Sequence, residues 1–282
     1  MNKAFIMTDL EGVSGVNARS DGIGNKIINH EESARLLAGE VNAAVEGLIE
    51  AGVEEITVVD GHGGSNSLPI ELLHPKADLM NIGDGFFPLT ALPDKNYGAC
   101  LHIGAHTMVG VPDGFLNHTF NSHGVANMWL NGKLVGEIAI FALHAAALGV
   151  PMILVSGDRA SCREAKEFLG AVATVETKIA SSRYTVINRS PTAVRKDIKE
   201  KSKAAFLDRK NIPLIKVPGS CTLRVQFMCA NQTVEYEKSG WLRIDHQTIE
   251  ITDHDFLSTW SRKAGWGNGV WRDSFYARNI LG

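Results

Sequence analysis

KAFIMTDLEGVSG, residues 3–15, joins a short apolar run to two acidic residues and a glycine-rich turn. A run this continuous is typical of a strand that is buried on both faces, as in a parallel sheet. Because alternate residues of an extended chain face the same side, Asp9 and Glu11 can point at one cation. The plainer interpretation is a solvated turn in which the two acids cap backbone groups and Gly12 supplies conformational freedom.

Three further apolar runs have the same design, and each ends in polar residues: EEITVVDGHGG, GACLHIGAH and PMILVSGD. Helical patterns separate the runs, and the first pattern stops at Gly52, a residue type common just after a helix. The alternation predicts an α/β fold, a three-layer α/β/α arrangement around a mostly parallel sheet. In such sheets the loops at the carboxyl ends of the strands build the site. We therefore expect an active site where the polar ends converge.

The second half of the chain has a different pattern. Asn131-Gly132 between short apolar stretches predicts a tight hairpin, and Ser190-Pro191 predicts the start of a helix. CTLRVQFMC and WLRIDHQTIEIT look like strands with polar faces. We predict a metal-binding catalytic α/β domain over residues 1–180 and a smaller α+β domain with a tryptophan-rich tail over residues 181–282.

Composition excludes several classes of function. The chain has 282 residues, of which 44% are apolar, and a formal net charge of -3. That charge argues against nucleic-acid binding by bulk electrostatics. The sequence contains neither an apolar run of the ~20 residues that a membrane span needs nor the pattern of a signal peptide. Four scattered cysteines without a Cys-x-x-Cys pair indicate a reduced, cytoplasmic protein and no cysteine metal site.

The polar residues at the strand ends suggest a metal centre. Asp9 and Glu11 are joined by one histidine after each of two later strands, His62 and His106, and by Glu137 at the start of a helix. Carboxylate and imidazole ligands suit zinc, manganese or related ions. Five ligands exceed what one tetrahedral zinc ion usually takes and fit two ions that share a bridging carboxylate.

Each of these residues also has an ordinary structural interpretation. A loop histidine such as His62 is more often structural, with Asp60 either orienting it or shaping the turn, and Glu137 also suits the dipole of its helix. His102 is expected to be a structural strand residue, and His144 a core residue that could also approach the site. His118 is a candidate proton carrier, because the pKa of histidine lies near neutrality. A surface role is the better interpretation of the neighbouring His123.

The order of short motifs along the chain points to a family. TDLEGVSG, VVDGHG, HPKADL, IGAH, NHT, NGKLVGE and GDRASCREA occur in that order. Over most of residues 3–230 the sequence resembles the DppA-type D-aminopeptidases, metallopeptidases encoded with dipeptide-transport operons. The resemblance implies a dinuclear zinc centre whose ligands are Asp9, Glu11, His62, His106 and Glu137.

The same resemblance implies further properties. Asp9 would be the bridging carboxylate and His118 the catalytic histidine. The family likeness also implies a ring-shaped homo-decamer whose sites face an internal chamber. The tail after about residue 259 does not match the family pattern.

The expected function is hydrolysis of the N-terminal peptide bond of short peptides, with D-amino-acid peptides among the candidate substrates. One competing hypothesis keeps the two divalent ions and changes the substrate to another small amide or a phosphoester. Phosphoesterases usually add basic residues, and Arg159 is the main one near the strand ends. Two non-enzymatic functions also stay open: a peptide receptor, against which the missing signal sequence argues, and a metal-storage shell.

Overall fold

The structure is a computed structural model that describes residues 2–20, 25–63, 66–82 and 96–264. The strands in chain order are β1 (Lys3–Thr8), β2 (Ala18–Ser20), β3 (Asn25–Ile27), β4 (Glu55–Asp60), β5 (Ala77–Asn81), β6 (Ala99–Ala105), β7 (Val125–Leu130), β8 (Lys133–Leu134), β9 (Met152–Asp158), β10 (Ala173–Ser182), β11 (Thr185–Asn188), β12 (Cys221–Phe227), β13 (Leu242–Arg243) and β14 (Thr248–Asp253). The α-helices are α1 (His30–Glu50), α2 (Glu137–Ala147), α3 (Arg159–Leu169), α4 (Pro191–Asp208), α5 (Val234–Lys238) and α6 (Phe256–Ala264).

The central layer is a seven-stranded sheet in the order β11-β10-β9-β6-β1-β4-β5. All of its pairs are parallel except β10 with β11. β1 lies between β4 and β6, so that Thr8 is in register with Asp60 on one side and Ile103 on the other. The carboxyl ends of β4, β1 and β6 therefore meet at one edge. The predicted α/β fold with a mostly parallel sheet is confirmed.

β1 shows why the sheet is covered on both faces. Ala4 and Ile6 belong to the apolar cluster that includes α1 and α4, whereas Phe5 and Met7 belong to the cluster that includes α2. Alternate side chains of a strand point to opposite faces, so a strand that is apolar at every position needs a helical layer on each side. The continuous run at the start of the sequence thus specifies the three layers.

Helix α1 packs closely against α4 on one face of the sheet. An added Cβ at Gly47 would lie 2.2 Å from the backbone oxygen of Lys199, so glycine permits this approach. Lys199 also forms ion pairs with Glu46 and Glu50 at 2.9 Å each. The helix ends as predicted, with Gly52 at φ 86°. These contacts hold α4 against α1 on that face of the sheet.

The second, five-stranded sheet has the order β13-β14-β12-β7-β8. The hairpin between β7 and β8 turns at Asn131 and Gly132, both at positive φ, as the sequence predicts. β7 pairs with β12 from much later in the chain, and the apolar side chains of this sheet join the α2 cluster. The sheet thus takes strands from both sides of residue 180, and the division into two domains there stays a prediction. The tryptophan-rich tail lies outside the described residues.

Helix α4 begins at Pro191, as the Ser-Pro pair predicts. Within the described chain the Ser190 side chain makes no capping hydrogen bond, so proline rather than a cap marks this start. None of the helices in the described ranges has the length and hydropathy of a membrane span.

Candidate metal centre

The loop after β1 is fixed to the end of β6. The backbone N–H groups of Asp9 and Gly12 donate to the carbonyl oxygens of Ile103 and Gly104, each at 2.8 Å. The loop after β1 packs directly against the end of β6, because an added Cβ on Gly12 would lie 2.1 Å from the backbone oxygen of Ala105. This contact sets the position of both opening acids against the strand that carries His106.

Two side chains from β10 support the same loop from inside. The buried Lys178 Nζ donates to the carbonyl oxygens of Glu11 at 2.9 Å and Val16 at 3.0 Å. The Thr177 hydroxyl donates to the carbonyl oxygen of Gly12. The acids therefore project from a backbone that is held on two sides.

His62 follows β4 and faces both opening acids. Its Nδ1 lies 3.0 Å from Asp9 Oδ1 and 3.0 Å from Glu11 Oε2. The Asp60 Oδ2 accepts hydrogen bonds from the N–H groups of Ser67 and Leu68, at 2.7 and 2.9 Å. Asp60 thus shapes the turn that presents His62, one of the two roles that the sequence leaves open for it.

His106 lies directly after β6 and joins Asp9 to Glu137. Its Nε2 is 3.2 Å from Asp9 Oδ2 and 3.2 Å from Glu137 Oε1. Its Nδ1 donates to the backbone oxygen of Thr107 at 3.0 Å, which directs Nε2 towards the acids. The two oxygens of Asp9 therefore face two different histidines.

His118 is held beside this group by an unusual loop. Leu116 and Phe120, two residues before and after it, have φ values of 50° and 60°. The His118 Nδ1 donates to the Leu116 carbonyl oxygen at 2.8 Å, and the Phe120 N–H donates to Glu137 Oε1 at 2.6 Å. The His118 ring stacks on His106 at 3.9 Å between centroids, and its Nε2 lies 4.0 Å from Glu137 Oε1. Backbone strain and hydrogen bonding thus aim Nε2 into the site.

The donor atoms form two overlapping groups. One contains Asp9, Glu11 and His106, and the other contains His106, His118 and Glu137. Within each group the candidate ligand atoms lie within 4.8 Å of one another. His106 belongs to both groups, so the cluster is larger than a single three-residue site.

The pKa directions show how strongly the acids and imidazoles interact. Burial would raise the pKa of Glu11 and of Glu137, but nearby histidines outweigh it: the pKa of Glu11 lies well below its usual value and that of Glu137 falls to about 2. Burial would lower the pKa of His62 and of His106, but the carboxylates hold both well above the usual value. The carboxylates therefore strongly favour a positive charge in the space between them.

The structure brings together all six residues that the sequence singles out for chemistry. They line one cavity of about 380 Å³: Asp9, Glu11, His62, His106, His118 and Glu137. His102 lies within β6, and burial lowers its pKa to about 4. His144 is buried beside Phe256 and Trp260, and Arg159 pairs with Glu176 at 3.1 Å. None of these other residues is among the described lining of the cavity.

Sequence reasoning missed several residues around the site. Lys26 lines the cavity, and Glu164 accepts hydrogen bonds from the Thr107 hydroxyl and the Met108 N–H at 2.6 and 2.8 Å. Lys178 had a usable signal, since a lysine inside an apolar strand pattern needs a buried partner. Lys26 and Glu164 carried no such signal in the sequence.

Comparison with known proteins identifies the family of this chain. A sequence profile of the family described as D-aminopeptidase matches residues 2–262. This chain belongs to that family of D-aminopeptidases. A D-aminopeptidase of Bacillus subtilis (strain 168) is 28% identical over 242 residues, which cover 86% of this chain and 85% of that protein. The resemblance stated from the motifs is confirmed.

A solved structure extends the likeness to the fold. The Zn-dependent D-aminopeptidase DppA from Bacillus subtilis, described as a self-compartmentalizing protease, superposes with a TM-score of 0.83 at 25% identity. The match covers 94% of this chain and 96% of that one. The α/β architecture is thus shared over nearly the whole length of both chains.

Proposed function

We propose that this D-aminopeptidase family member is a zinc-dependent aminopeptidase that removes the N-terminal residue from short peptides, including peptides of D-amino acids. The observation that carries the proposal is the position of Asp9, whose two oxygens lie 3.0 Å from a nitrogen of His62 and 3.2 Å from one of His106. A carboxylate between two histidines is the arrangement that a bridging ligand of two ions needs. The Zn-dependent structural neighbour supports zinc as the metal.

The donor set fits zinc. Ligand atoms that each lie about 2.0–2.1 Å from a tetrahedral zinc ion are roughly 3.3 Å from one another. The four contacts that join the candidate ligands measure 3.0, 3.0, 3.2 and 3.2 Å. We propose as the ligands of two zinc ions the three carboxylates and two histidines predicted from sequence: Asp9, Glu11, His62, His106 and Glu137.

We assign the catalytic proton transfer to His118. When bound, zinc supplies Lewis acidity, which polarises a peptide carbonyl group and makes water a usable nucleophile near neutral pH. Burial first, and then His106, lowers the pKa of His118, so the ring is neutral near pH 7. Its Nδ1–H donates to the Leu116 carbonyl oxygen, so the lone pair on Nε2 faces the cavity. Nε2 can take the proton that water loses and pass it to the leaving amine as the C–N bond breaks.

Metal analysis and kinetics of variants test these roles. Glu11→Ala and His106→Ala should each lower the zinc content, because each removes a ligand. His118→Ala should keep its zinc and lose about 10²–10⁴ in kcat, the usual contribution of such a group. His123→Ala is the matched control, since this histidine lies in the same loop but is not among the described residues that line the cavity. Full zinc occupancy in both ligand variants, or near-normal turnover of His118→Ala, would contradict the assignment.

Assembly and location are part of the proposal. The structural neighbour is self-compartmentalizing, and by this likeness we propose that the chain forms a homo-oligomer, with the decamer as the first state to test by light scattering. We also propose a cytoplasmic location, as the four scattered cysteines suggest.

A second candidate function is favoured by one observation. Lys26 lines the cavity, and a cation near two metal ions is what a phosphoesterase would use to bind its substrate. Parallel assays with short peptides and with a generic phosphoester separate the two functions. Release of free amino acids by zinc-loaded protein, abolished by a chelator and restored by zinc, supports the peptidase; phosphate release alone supports the phosphoesterase.

A further inference from the structure

Lys26 occupies a distinctive place in the cavity. It lies in β3, on the small hairpin that precedes α1, and its side chain is exposed. Among the described residues that line the cavity it is the only lysine or arginine. It forms no ion pair with any carboxylate in the described part of the chain. The Lys26 ammonium group, with no described carboxylate as its partner, therefore faces the same space as the candidate metal ligands.

The proposed reaction fixes the direction of the substrate. An aminopeptidase cleaves the first peptide bond, so the amine end and the first carbonyl group must lie at the wall formed by the candidate ligands and His118. The rest of the peptide then extends into the remaining cavity, which is lined by residues such as Lys26, His30 and Asn121. A free C-terminal carboxylate placed there lies away from the metal-binding wall and needs a cationic partner of its own, which the Lys26 ammonium group can supply by a charged hydrogen bond.

The length of the peptide decides how far its carboxylate lies from the candidate ligands. Two extended residues span roughly 7 Å and three roughly 10 Å. A short peptide therefore keeps its C-terminal carboxylate close to these ligands, in the space that Lys26 also lines, whereas a longer peptide carries it further away.

Building on the proposed function, we propose that Lys26 binds the C-terminal carboxylate of the substrate and makes the site prefer short peptides with a free carboxylate over their C-terminal amides. Lys26 is then a specificity-determining residue and takes no part in metal binding or proton transfer. The chemistry that it recognises is an anionic carboxylate.

Paired substrates test this role. The probes are D-alanyl-D-alanine and its C-terminal amide, with the L-enantiomers in parallel, and kcat and KM are measured for zinc-loaded wild type, Lys26→Met and Lys26→Arg. The wild type should prefer the free acid over the amide by about tenfold in kcat/KM, the value of one charged hydrogen bond at an accessible site. Lys26→Met should lose that preference through a higher KM, and Lys26→Arg should keep most of it.

Controls separate this proposal from a structural effect. Lys133→Met removes an exposed lysine from another hairpin that is not part of the described cavity lining, and it should leave the preference unchanged. Zinc content should be equal in all variants. An equal loss on acid and amide in Lys26→Met would overturn the proposal, as would a wild type that cleaves both at the same rate. Failure of the zinc-loaded wild type to cleave any of the four peptides would instead overturn the proposed function.

Discussion

Replacing Gly12 by alanine should disrupt the candidate metal centre without touching a ligand. The new Cβ would lie 2.1 Å from the Ala105 oxygen and 2.6 Å from the Gly104 carbon and oxygen, all of them backbone atoms that cannot rotate away. Real Cβ atoms essentially never approach closer than 3.0 Å, so the loop after β1 and the end of β6 must separate by about 0.9 Å, the difference between 3.0 and 2.1 Å.

The size of the effect follows from the hydrogen bonds at this contact. Separation by that amount takes the bonds from Asp9 N–H and Gly12 N–H, now 2.8 Å each, to about 3.7 Å, which is beyond hydrogen-bonding range. Two buried groups left unsatisfied cost about 2–5 kcal/mol together. For a protein of 282 residues that free energy lowers Tm by roughly 3–8 °C.

The same shift moves both opening acids away from His106, so Gly12→Ala should also bind less zinc. Thermal unfolding and metal analysis measure the two effects. Gly219→Ala is the control, because an added Cβ there meets nothing within 4 Å and should leave both values unchanged. A Gly12→Ala protein that melts and loads zinc like wild type would refute the reasoning.

Three further changes probe the surroundings of the site. Burial raises the pKa of Glu40 to about 7, with Lys178 and Arg195 opposing it, so stability present below pH 4.5 is lost as pH rises through 7. In urea unfolding, the free energy of unfolding of Glu40→Gln minus that of the wild type should therefore rise by about 2–3 kcal/mol between pH 5 and pH 8. The same difference at both pH values would contradict this. Glu164→Ala should lower the free energy of unfolding by about 2–4 kcal/mol, because two donors next to His106 lose their acceptor, whereas Glu164→Gln keeps an acceptor and should lose less. Arg183→Met should lower kcat at unchanged zinc content, because Arg183 donates to the residue before His118; equal kcat in the variant and wild type would exclude this role.

The parallel sheet could be predicted because its information is local. Each buried strand is a continuous apolar run, and the polar residue at its end marks the edge of the sheet. Parallel strands bring their carboxyl ends together, which is why Asp9, His62 and His106 could be expected at one place.

Other features depend on contacts between distant parts of the chain. The Asn131-Gly132 turn predicted a hairpin, but no local pattern identifies β12 as the partner of β7, since that pairing joins residues nearly a hundred positions apart. The sequence favoured His118 over His123 as the proton carrier, but it could not show what holds His118 in the site. The positive φ values of Leu116 and Phe120, which place His118, are set by tertiary contacts and cannot be inferred from residue type. Lys26 reaches the cavity only because its hairpin folds beside it.

The support from β10 has a consequence for biosynthesis. All five candidate ligands are translated by residue 137, yet Thr177 and Lys178 bond to the backbone of Gly12 and Glu11 from 165 and 167 positions later. At about 5–20 residues per second, the acids emerge from the ribosome roughly 10–30 s before these anchors exist. A nascent chain that bound a cation before then would bind it with the loop after β1 still lacking its support from β10. Metal loading should therefore follow, rather than guide, completion of the parallel sheet.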